Sequence, residues 1–276
     1  MFLLNRFFAA NRRLSAVVEG WLPASFKRHL HTVYKYEVAA LMNSRPGQTV
    51  LDIGGGKDCP FLPFVTEPAA HRVIAIDCSE EELRGNTQLQ QKVVADVAAA
   101  PLPLRDGSAD LVVSRSVVEH LQDNAAFFGN CARMLRPGGV VVHTFPCKFA
   151  PFALLNKLLP NRVSRRLLAW FQPAWVDTCG FLAYYDRCYY SAIRRLLADN
   201  DFCDAQYTFR YYQSIYFDFF FPLYLLTLAY DLTIWFFGIR NLACAILVRA
   251  RRPAVSPERA DPLQADVDTP SHAPAL

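Results

Sequence analysis

The chain has 276 residues and a formal net charge of +4, with 53% hydrophobic and 20% charged residues. This length fits one large domain with additions, and it is long enough to bury a sizeable core. So small a net charge does not indicate a nucleic-acid partner. The eight cysteines form no Cys-x-x-Cys pair and have no histidine at metal-ligand spacing. We therefore expect free, buried thiols in a reducing compartment and no metal site.

The N-terminal residues 1–47 mix arginines and lysines with leucine, phenylalanine and tryptophan. This composition predicts a basic amphipathic helical lead-in that suits a membrane surface. Residues Met1 to Ala10 are interrupted by Arg6 and lack a small-residue cleavage site. We therefore expect no signal peptide, and a protein that stays in the cytoplasm.

From Thr49 onward, strands and helices alternate in the way that a parallel sheet requires. Ser79 with Glu82 forms a capping box at the start of one predicted helix, and Pro137-Gly138-Gly139 ends another. The pattern predicts strands at residues 49–53, 72–77, 92–95, 110–114 and 140–145, and helices beginning near residue 79 and over 124–135.

The C-terminal half is less regular. Residues 147–187 are basic and aromatic and predict a cap with helical pieces, and the Pro-rich tail 251–276 predicts disorder. Residues 189–199 predict a helix, and residues 204–212 and 242–249 predict two more strands. The predicted organisation is a lead-in at 1–47, a core at 48–146, the cap at 147–187, the rest of the sheet at 188–250 with a hydrophobic insertion at 215–239, and the tail at 251–276.

The run Val50 to Gly56 ends a predicted strand in three glycines. Glycines at a strand end let another molecule approach the backbone closely, although an ordinary tight turn would use them as well. Asp52 would repel a pyrophosphate, and it suits a cationic ligand such as S-adenosylmethionine. A nicotinamide dinucleotide expects G-x-G-x-x-G, and here the last glycine is replaced by Cys59.

Two further acids follow the next two predicted strands. Asp77 can accept both hydroxyls of a ribose, and Asp96 can accept a hydrogen bond from an adenine amino group. Taken singly, each is more often a surface acid. Three acids after three successive parallel strands meet at one edge of the sheet, which is where open α/β sheets bind ligands.

As a set, these segments resemble the class I S-adenosylmethionine-dependent methyltransferases, in the group that includes ubiquinone-type and other small-molecule methyltransferases. The resemblance covers roughly residues 48–146 and rests on Val50–Gly56, Val73–Asp77, Val94–Asp96 with Pro101-Leu102-Pro103, Ala109–Ser114, Val118–Leu121 and Met134–Gly139. It implies a Rossmann-like, doubly wound, seven-stranded and mostly parallel sheet, with a helical cap and a hydrophobic C-terminal insertion.

The resemblance also implies S-adenosyl-L-methionine as the cofactor and a role for each matching residue. Glycines make room for the methionine part, Asp52 holds its amino group, Asp77 binds the ribose, and Asp96 with the Val97 backbone recognises adenine. The full predicted cofactor set is Asp52, Gly54, Gly55, Gly56, Asp77, Asp96, Val97 and Ser114. One departure is Asp58, where the family usually has another glycine.

His120 lies just past the fourth strand, where this family presents residues to the transferred methyl group. An unperturbed histidine pKa near 6.5 suits a general base, and the alternative is a histidine bonded to backbone at a helix start. Glu119 is a weaker catalytic candidate, and His143 is expected to be a core residue. In the cap, Tyr184, Tyr185 and Asp186 are candidate substrate contacts or ordinary packing residues.

The insertion from Ile215 to Ile239 is almost continuously apolar, with Asp218 near its start and Asp231 after twelve uncharged residues. A spanning helix needs about 20 apolar residues, and a central Asp costs roughly 2.5–3.5 kcal/mol on insertion scales. The strand predicted after it must also return to the same sheet. These points favour a helix or hairpin that enters one leaflet, over a buried core or dimer helix and over a transmembrane span.

The sequence therefore predicts an enzyme that methylates a lipid, a lipid-linked glycan or a hydrophobic metabolite. It would act as a peripheral protein on the cytoplasmic membrane face, without a nucleic-acid partner. One alternative is a methyltransferase for a soluble sugar or small acid, with the oily helix serving dimerisation. The other is a non-catalytic binding or adaptor protein on the same fold, which the Asp58 departure leaves open.

Overall fold

The computed structural model describes residues 2–99, 102–158 and 181–254. A single seven-stranded sheet with the order β3-β2-β1-β4-β5-β7-β6 lies at its centre. The first five strands are parallel, β7 is antiparallel to β5, and β6 is antiparallel to β7. This confirms the predicted doubly wound, mostly parallel sheet. The strands are β1 (Thr49–Ile53), β2 (Arg72–Asp77), β3 (Gln91–Val94), β4 (Ala109–Arg115), β5 (Leu135–Pro146), β6 (Cys203–Arg210) and β7 (Ala245–Arg251).

Helices cover the sheet and form the lead-in. Ser79 caps α4 by accepting a hydrogen bond from the Glu82 N–H at 3.2 Å, and Asp123 caps α5 in the same way. The helices are α1 (Phe2–Trp21), α2 (Ala24–Lys27), α3 (Leu30–Asn43), α4 (Glu80–Gly85), α5 (Asn124–Met134), α6 (Pro151–Leu158), α7 (Tyr190–Asp199) and α8 (Phe221–Phe236).

Some predicted boundaries were wrong. The fifth strand begins at Leu135 instead of Val140, because the chain passes from α5 directly into β5, where Leu135 pairs with Ala109. The last strand begins at Ala245 because Arg240–Leu242 forms a short 3-10 helix first. Most of the predicted tail, from residue 255, and residues 159–180 of the predicted cap lie outside the described residues.

The strand order creates a switch point between β1 and β4. From β1 the chain proceeds outward through β2 and β3, whereas β4 lies on the other side of β1. Ligands of open α/β sheets bind at the carboxyl ends of the strands at such a point. We call the carboxyl ends of β1, β2 and β3 the β1–β3 edge, and those of β4, β5 and β6 the β4–β6 edge.

Helix α3 brings the lead-in to this site. Its buried face, including Tyr34 and Val38, packs on sheet residues that include Val113. Arg45, just after the helix, pairs with Asp110 at the start of β4, so the helix runs antiparallel to β4. The α3 N-terminus, which carries the positive end of the helix dipole, therefore lies at the carboxyl edge of the sheet.

Helices α1 and α8 pack against each other, so the lead-in and the hydrophobic insertion form one layer. The Phe7 and Phe220 rings lie 6.4 Å apart, and the Asn11 Oδ1 accepts a hydrogen bond from the Phe221 N–H at 2.9 Å. Phe26 of α2 is buried and contacts Trp235 of α8, with ring centroids 5.2 Å apart. Among the described helices, none is long and apolar enough to cross a membrane.

Candidate active site

The three glycines after β1 form a tight cradle. Gly54 has a φ of +72°, and a Cβ atom there would lie 2.2 Å from the Val117 side chain. A Cβ at Gly55 would lie 2.8 Å from the Asp52 Oδ2, and one at Gly56 would lie 2.9 Å from the Asp77 Oδ2. The loop therefore needs glycine at each position, and it runs directly beside the two predicted carboxylates.

Asp52 lies at the bottom of this cradle with 3% of its surface exposed. Its Oδ2 accepts a hydrogen bond from the Cys59 thiol at 2.9 Å, and burial raises the Asp52 pKa to about 7. The buried Asn86 supports the same loop by donating to the Gly55 carbonyl at 2.8 Å. The nearby charge of Arg115 lowers the Asp52 pKa, but Asp52 forms no salt bridge among the described residues, and a buried carboxylate of this kind is suited to bind a cationic group.

Asp58 does not disturb the loop. Its φ is negative, and its carboxylate pairs with the Arg115 guanidinium at 2.9 Å on the protein surface. Only a positive φ would demand glycine at this position. Asp58, which stands where the family usually has glycine, is thus accommodated by an ordinary backbone conformation and a surface ion pair.

At the β1–β3 edge, Asp77 is the last residue of β2 and Asp96 lies just past β3. The Asp77 Oδ1 accepts from the Ser79 N–H at 2.9 Å, and burial raises its pKa. Asp96 is exposed and accepts from the Ala98 N–H at 2.9 Å. The three predicted acids therefore lie on adjacent strands at one edge, in the order that the sequence predicted. The carbonyl of Val97 accepts from Asn130 at 3.1 Å.

Ser114 occupies a different environment from the rest of the predicted cofactor set. Its side chain is fully buried, and its Oγ is 2.8 Å from the Nδ1 of His143 in the core beneath α5. Burial lowers the His143 pKa to about 3, so this histidine is neutral, as expected of a core residue. The Ser114 hydroxyl is therefore engaged with His143 in the core.

Glu119 and His120 lie together in the 3-10 helix Val118–His120, just past β4. The His120 Nδ1 is 3.0 Å from the Leu182 carbonyl, which can only accept, so Nδ1 carries the proton and Nε2 has a free lone pair. That Nε2 lies 3.7 Å from the Glu119 Oε1. Burial lowers the His120 pKa, partly offset by the bond to Leu182.

The Glu119 carboxyl is almost completely buried, and burial raises its pKa to about 8. Its Oε2 has no hydrogen-bond partner among the described residues. At neutral pH this side chain is therefore protonated and can donate a hydrogen bond, while His120 is an uncharged base.

The predicted substrate residues are held against the same 3-10 helix. The backbone N–H groups of Tyr184 and Tyr185 both donate to the Glu119 carbonyl, at 2.8 and 2.9 Å. Tyr184 is partly exposed beside the site, whereas Tyr185 is buried in the core. The Asp186 carboxylate accepts from the Asn124 N–H at 3.0 Å and fixes this segment to α5.

The sequence reasoning missed two residues that α3 brings to the carboxyl edge. Tyr34 is fully buried, and its hydroxyl has no hydrogen-bond partner among the described residues. Burial raises its pKa, and the charge of Asp52 raises it further. The His31 Nε2 lies 3.2 Å from the Ser116 Oγ, just past β4. Nothing in the local pattern of α3 marked either residue, because both are brought there by the packing of the helix on the sheet.

Comparison with known proteins agrees with this geometry. Residues 51–143 match a family described as "Methyltransferase domain". The chain is 35% identical over 122 residues to a probable S-adenosylmethionine-dependent methyltransferase of Mycolicibacterium smegmatis, over 44% of this chain and 45% of that protein. Residues 51–143 are a methyltransferase domain of the class I S-adenosylmethionine-dependent type. For this domain, the match confirms the predicted family, enzyme class and cofactor.

Two more proteins are similar to this chain, one in sequence and one in fold. The ubiquinone biosynthesis O-methyltransferase of Rhodopseudomonas palustris is 30% identical over 166 residues, over 51% of this chain and 62% of that protein. The chain spans less than two thirds of these curated relatives. An S-adenosylmethionine-dependent methyltransferase structure from Mesorhizobium loti aligns with a TM-score of 0.51 at 17% identity, covering 79% of this chain and 98% of that one, and supports the fold.

The residues present in the cradle fit the cofactor S-adenosylmethionine. A Cβ atom added at Gly54, Gly55 or Gly56 would collide with a neighbouring side chain, so the cradle leaves room for a ligand only when these three residues are glycines. Buried Asp52 offers a carboxylate to an ammonium group, and half-buried Asp77 offers one to vicinal hydroxyls. The unpartnered Tyr34 hydroxyl supplies a donor near Asp52.

Proposed function

We propose that this protein transfers a methyl group to a lipid, a lipid-linked glycan or a hydrophobic metabolite at a membrane surface. The observation that carries the membrane part of this proposal is an uncharged, apolar outer face on α8, next to exposed apolar residues of α1. The methyl-transfer part rests on the cradle and the methyltransferase domain at residues 51–143.

In the β1–β3 edge, each predicted residue keeps a distinct role. Asp52 would hold the amino group of S-adenosylmethionine, Asp77 the ribose hydroxyls, and Asp96 with the Val97 N–H the adenine. The Val97 carbonyl already accepts a hydrogen bond from Asn130, so the Val97 N–H is the backbone group left to bind adenine. When bound, the cofactor supplies a methyl group on a sulfonium, which is displaced in line by a nucleophile.

His120 and Glu119 would act on the acceptor. For a hydroxyl acceptor, the His120 Nε2 would take the hydroxyl proton, because the Leu182 carbonyl holds the other ring nitrogen in its protonated form. Protonated Glu119 would donate a hydrogen bond from its unpartnered oxygen. Tyr184, Tyr185 and Asp186 remain candidate acceptor contacts on the segment that covers this helix.

The apolar platform is formed by the exposed side chains of α1 and α8. On α8 the outward positions 222, 225, 226, 229, 233 and 236 follow helical spacing and carry no charge. Arg13 is exposed on α1 and adds the positive charge that anionic lipid attracts. The exposed large apolar residues of the platform are Leu4, Phe7, Leu14, Val17, Trp21, Phe220, Leu225, Leu226, Trp235, Phe236, Phe237 and Ile239.

Asp231 does not weaken the platform. It is fully buried on the inner side of α8, where its carboxylate accepts from the Gln213 and Ser214 N–H groups at 2.8 and 2.9 Å. The one acid of α8 therefore stabilises the protein interior, and the outer face of this helix stays apolar. Exposed apolar patches of this kind mark interaction surfaces.

Cofactor binding is the first experiment. Calorimetric titration with S-adenosylhomocysteine should give micromolar binding, and Asp77→Ala should weaken it by about 10–100-fold, because a hydrogen bond to a charged group is lost. A folded protein that binds no S-adenosylhomocysteine would contradict methyl transfer and favour the adaptor alternative.

Membrane binding is tested by co-sedimentation with phosphatidylglycerol liposomes. Leu226→Asp combined with Phe236→Asp should abolish binding, whereas Ala198→Asp, an exposed position on α7, should leave it unchanged. A dimer in solution that dissociates on the same double substitution would instead show that a second copy covers the platform. Labelled methyl transfer into the lipid fraction, but not the aqueous fraction, of a cell extract would then identify the acceptor class.

A further inference from the structure

Four side chains form a basic cluster on the β4–β6 edge, apart from the residues assigned to the cofactor. They are His29, His31, Ser116 and Arg210. The His29 and His31 rings lie 4.9 Å apart, and the His31 Nε2 is 3.2 Å from the Ser116 Oγ. Arg210 ends β6, and its charge acts on both histidines. Its Nε donates to the Tyr212 carbonyl at 2.9 Å, and its two terminal nitrogens form no hydrogen bond within the described residues.

The charged and titratable groups of this cluster are all basic. Burial lowers the pKa of both histidines, and the charge of Arg210 lowers both further. No carboxylate contacts His29, His31 or Arg210 within the part of the chain that the structure describes. Arg115 also acts on His31, but Asp58 already pairs with it. The cluster is thus an electropositive place without an anionic partner.

Helix α3 adds to the same field. It begins at Leu30, directly after His29, with no acidic residue in its first turn and no side-chain cap. Its first backbone N–H groups and the positive end of its dipole lie beside the two histidines. Uncapped N–H groups together with Arg and neutral His donors form a set that suits a phosphate or carboxylate.

The position of the cluster relates it to the acceptor. The cofactor residues lie at the β1–β3 edge, whereas Ser116 and Arg210 follow β4 and β6 on the other side of the switch point. The cluster also adjoins the apolar platform, because Tyr212, which holds Arg210, packs on Phe26, and Phe26 packs on Trp235. A molecule reaching the site from the platform would place a polar group here.

We propose that the basic cluster binds an anionic group, a phosphate or a carboxylate, of the methyl acceptor. This inference rests on the proposed function and narrows its acceptor class to anionic compounds. Lipids with a phosphate headgroup and soluble phosphorylated compounds share the chemistry, and the experiment separates them.

The test uses the full chain saturated with S-adenosylhomocysteine, titrated with inorganic phosphate and followed by the NMR signals of the histidine side chains. The signals of His29 and His31 should shift with saturable binding. Arg210→Ala should weaken phosphate binding about ten-fold or more while keeping S-adenosylhomocysteine affinity, since one charge-assisted contact is lost. Arg195→Ala, which removes an exposed arginine of α7, is the matched control and should change neither.

Two further titrations identify the source of the anion. Dihexanoyl phosphatidic acid, kept below its micelle concentration, should bind more tightly than phosphate if a lipid is the acceptor, and dihexanoylglycerol should not shift the histidine signals. Equal affinity for phosphate and phosphatidic acid would support a soluble phosphorylated acceptor.

Two results would overturn the proposal. If phosphate and S-adenosylhomocysteine displace each other, the cluster serves the carboxylate of the cofactor and methyl transfer still stands. If the loaded protein binds neither phosphate nor phosphatidic acid, the acceptor is not anionic. A protein that fails to bind S-adenosylhomocysteine would instead contradict the proposed function itself, which is measured separately.

Discussion

The two edges of the site are built in different ways. The β1–β3 edge consists of short loops that directly follow three strands, and its acids belong to contiguous motifs. The β4–β6 edge is assembled from α3, the 3-10 helix after β4, the segment around residue 184 and the end of β6. The first edge is thus local in sequence, whereas the second depends on contacts between distant parts of the chain. This difference predicts that single substitutions affect cofactor binding most at the first edge and protein stability most at the second.

The largest effect is expected at Gly54. A Cβ there would lie 2.2 Å from Val117 at a φ of +72°, so Gly54→Ala must displace the loop. Misplacement of about 1 Å can cost 100-fold. We therefore expect Gly54→Ala to weaken S-adenosylhomocysteine binding at least about 100-fold by calorimetry.

Gly47→Ala is the matched control for this substitution. Gly47 has a φ of +74° with no atom near a Cβ, so both variants share the backbone strain and only Gly54→Ala adds the collision. Equal losses of S-adenosylhomocysteine affinity in the two variants would show that the close contact between residue 54 and Val117 does not shape the cradle.

At the second edge we expect a loss of stability. Asp231→Leu makes α8 more apolar but leaves the buried N–H groups of Gln213 and Ser214 without their acceptor. Each unsatisfied buried group costs about 1–3 kcal/mol, so urea unfolding should show a free energy of unfolding lower by about 3 kcal/mol. A helix that inserted across a bilayer would instead tolerate or favour leucine, and unchanged stability would therefore contradict our assignment of Asp231 to the protein interior.

Glu119 gives a pH-dependent effect. Burial raises its pKa to about 8 in the folded protein, so the folded state keeps a proton that the unfolded chain releases near pH 4.5. The stabilising contribution is therefore complete below pH 4.5 and is lost as pH rises towards 8, with a slope of at most about 1.4 kcal/mol per pH unit.

Glu119→Gln should flatten this slope between about pH 5 and 8, measured as the unfolding free energy at several pH values. Asp52, with a pKa raised to about 7 by burial, adds a slope of the same sign that should remain in the variant. A stability profile that the substitution leaves parallel to the original would mean that Glu119 is ionised in the folded protein.

The smallest effect is expected at Asp58. Its φ is negative and its carboxylate lies on the surface, so Asp58→Gly removes only an exposed ion pair with Arg115. Such pairs contribute about 0–1 kcal/mol, and S-adenosylhomocysteine affinity should stay within about five-fold. A larger gain in affinity would show that Asp58 restricts the cradle after all.

The site could be predicted in part. Asp52, Asp77 and Asp96 were found because parallel strands place their carboxyl ends at one edge, which makes position in sequence a guide to position in space. Ser114 was included by the same reasoning, but alternation along β4 turns its side chain into the layer with His143, away from the crevice. Tyr34 and His31 were missed, since a helix that packs across several strands gives no local sign of which residue reaches the strand ends.

For this protein the sequence alone indicated the family, the mostly parallel seven-stranded sheet and the acids of the β1–β3 edge, because those features depend on short motifs and on the period of hydrophobic residues. Only the tertiary structure decided that Asp231 faces inward, that the backbone at position 58 does not require glycine, and that α1 and α8 share one apolar platform. It also decided that His31 contacts His29 and Ser116, and that the charge of Arg210 acts on both histidines. These facts depend on contacts between segments separated by up to about 200 residues, and such contacts follow from how the whole chain packs rather than from any local pattern.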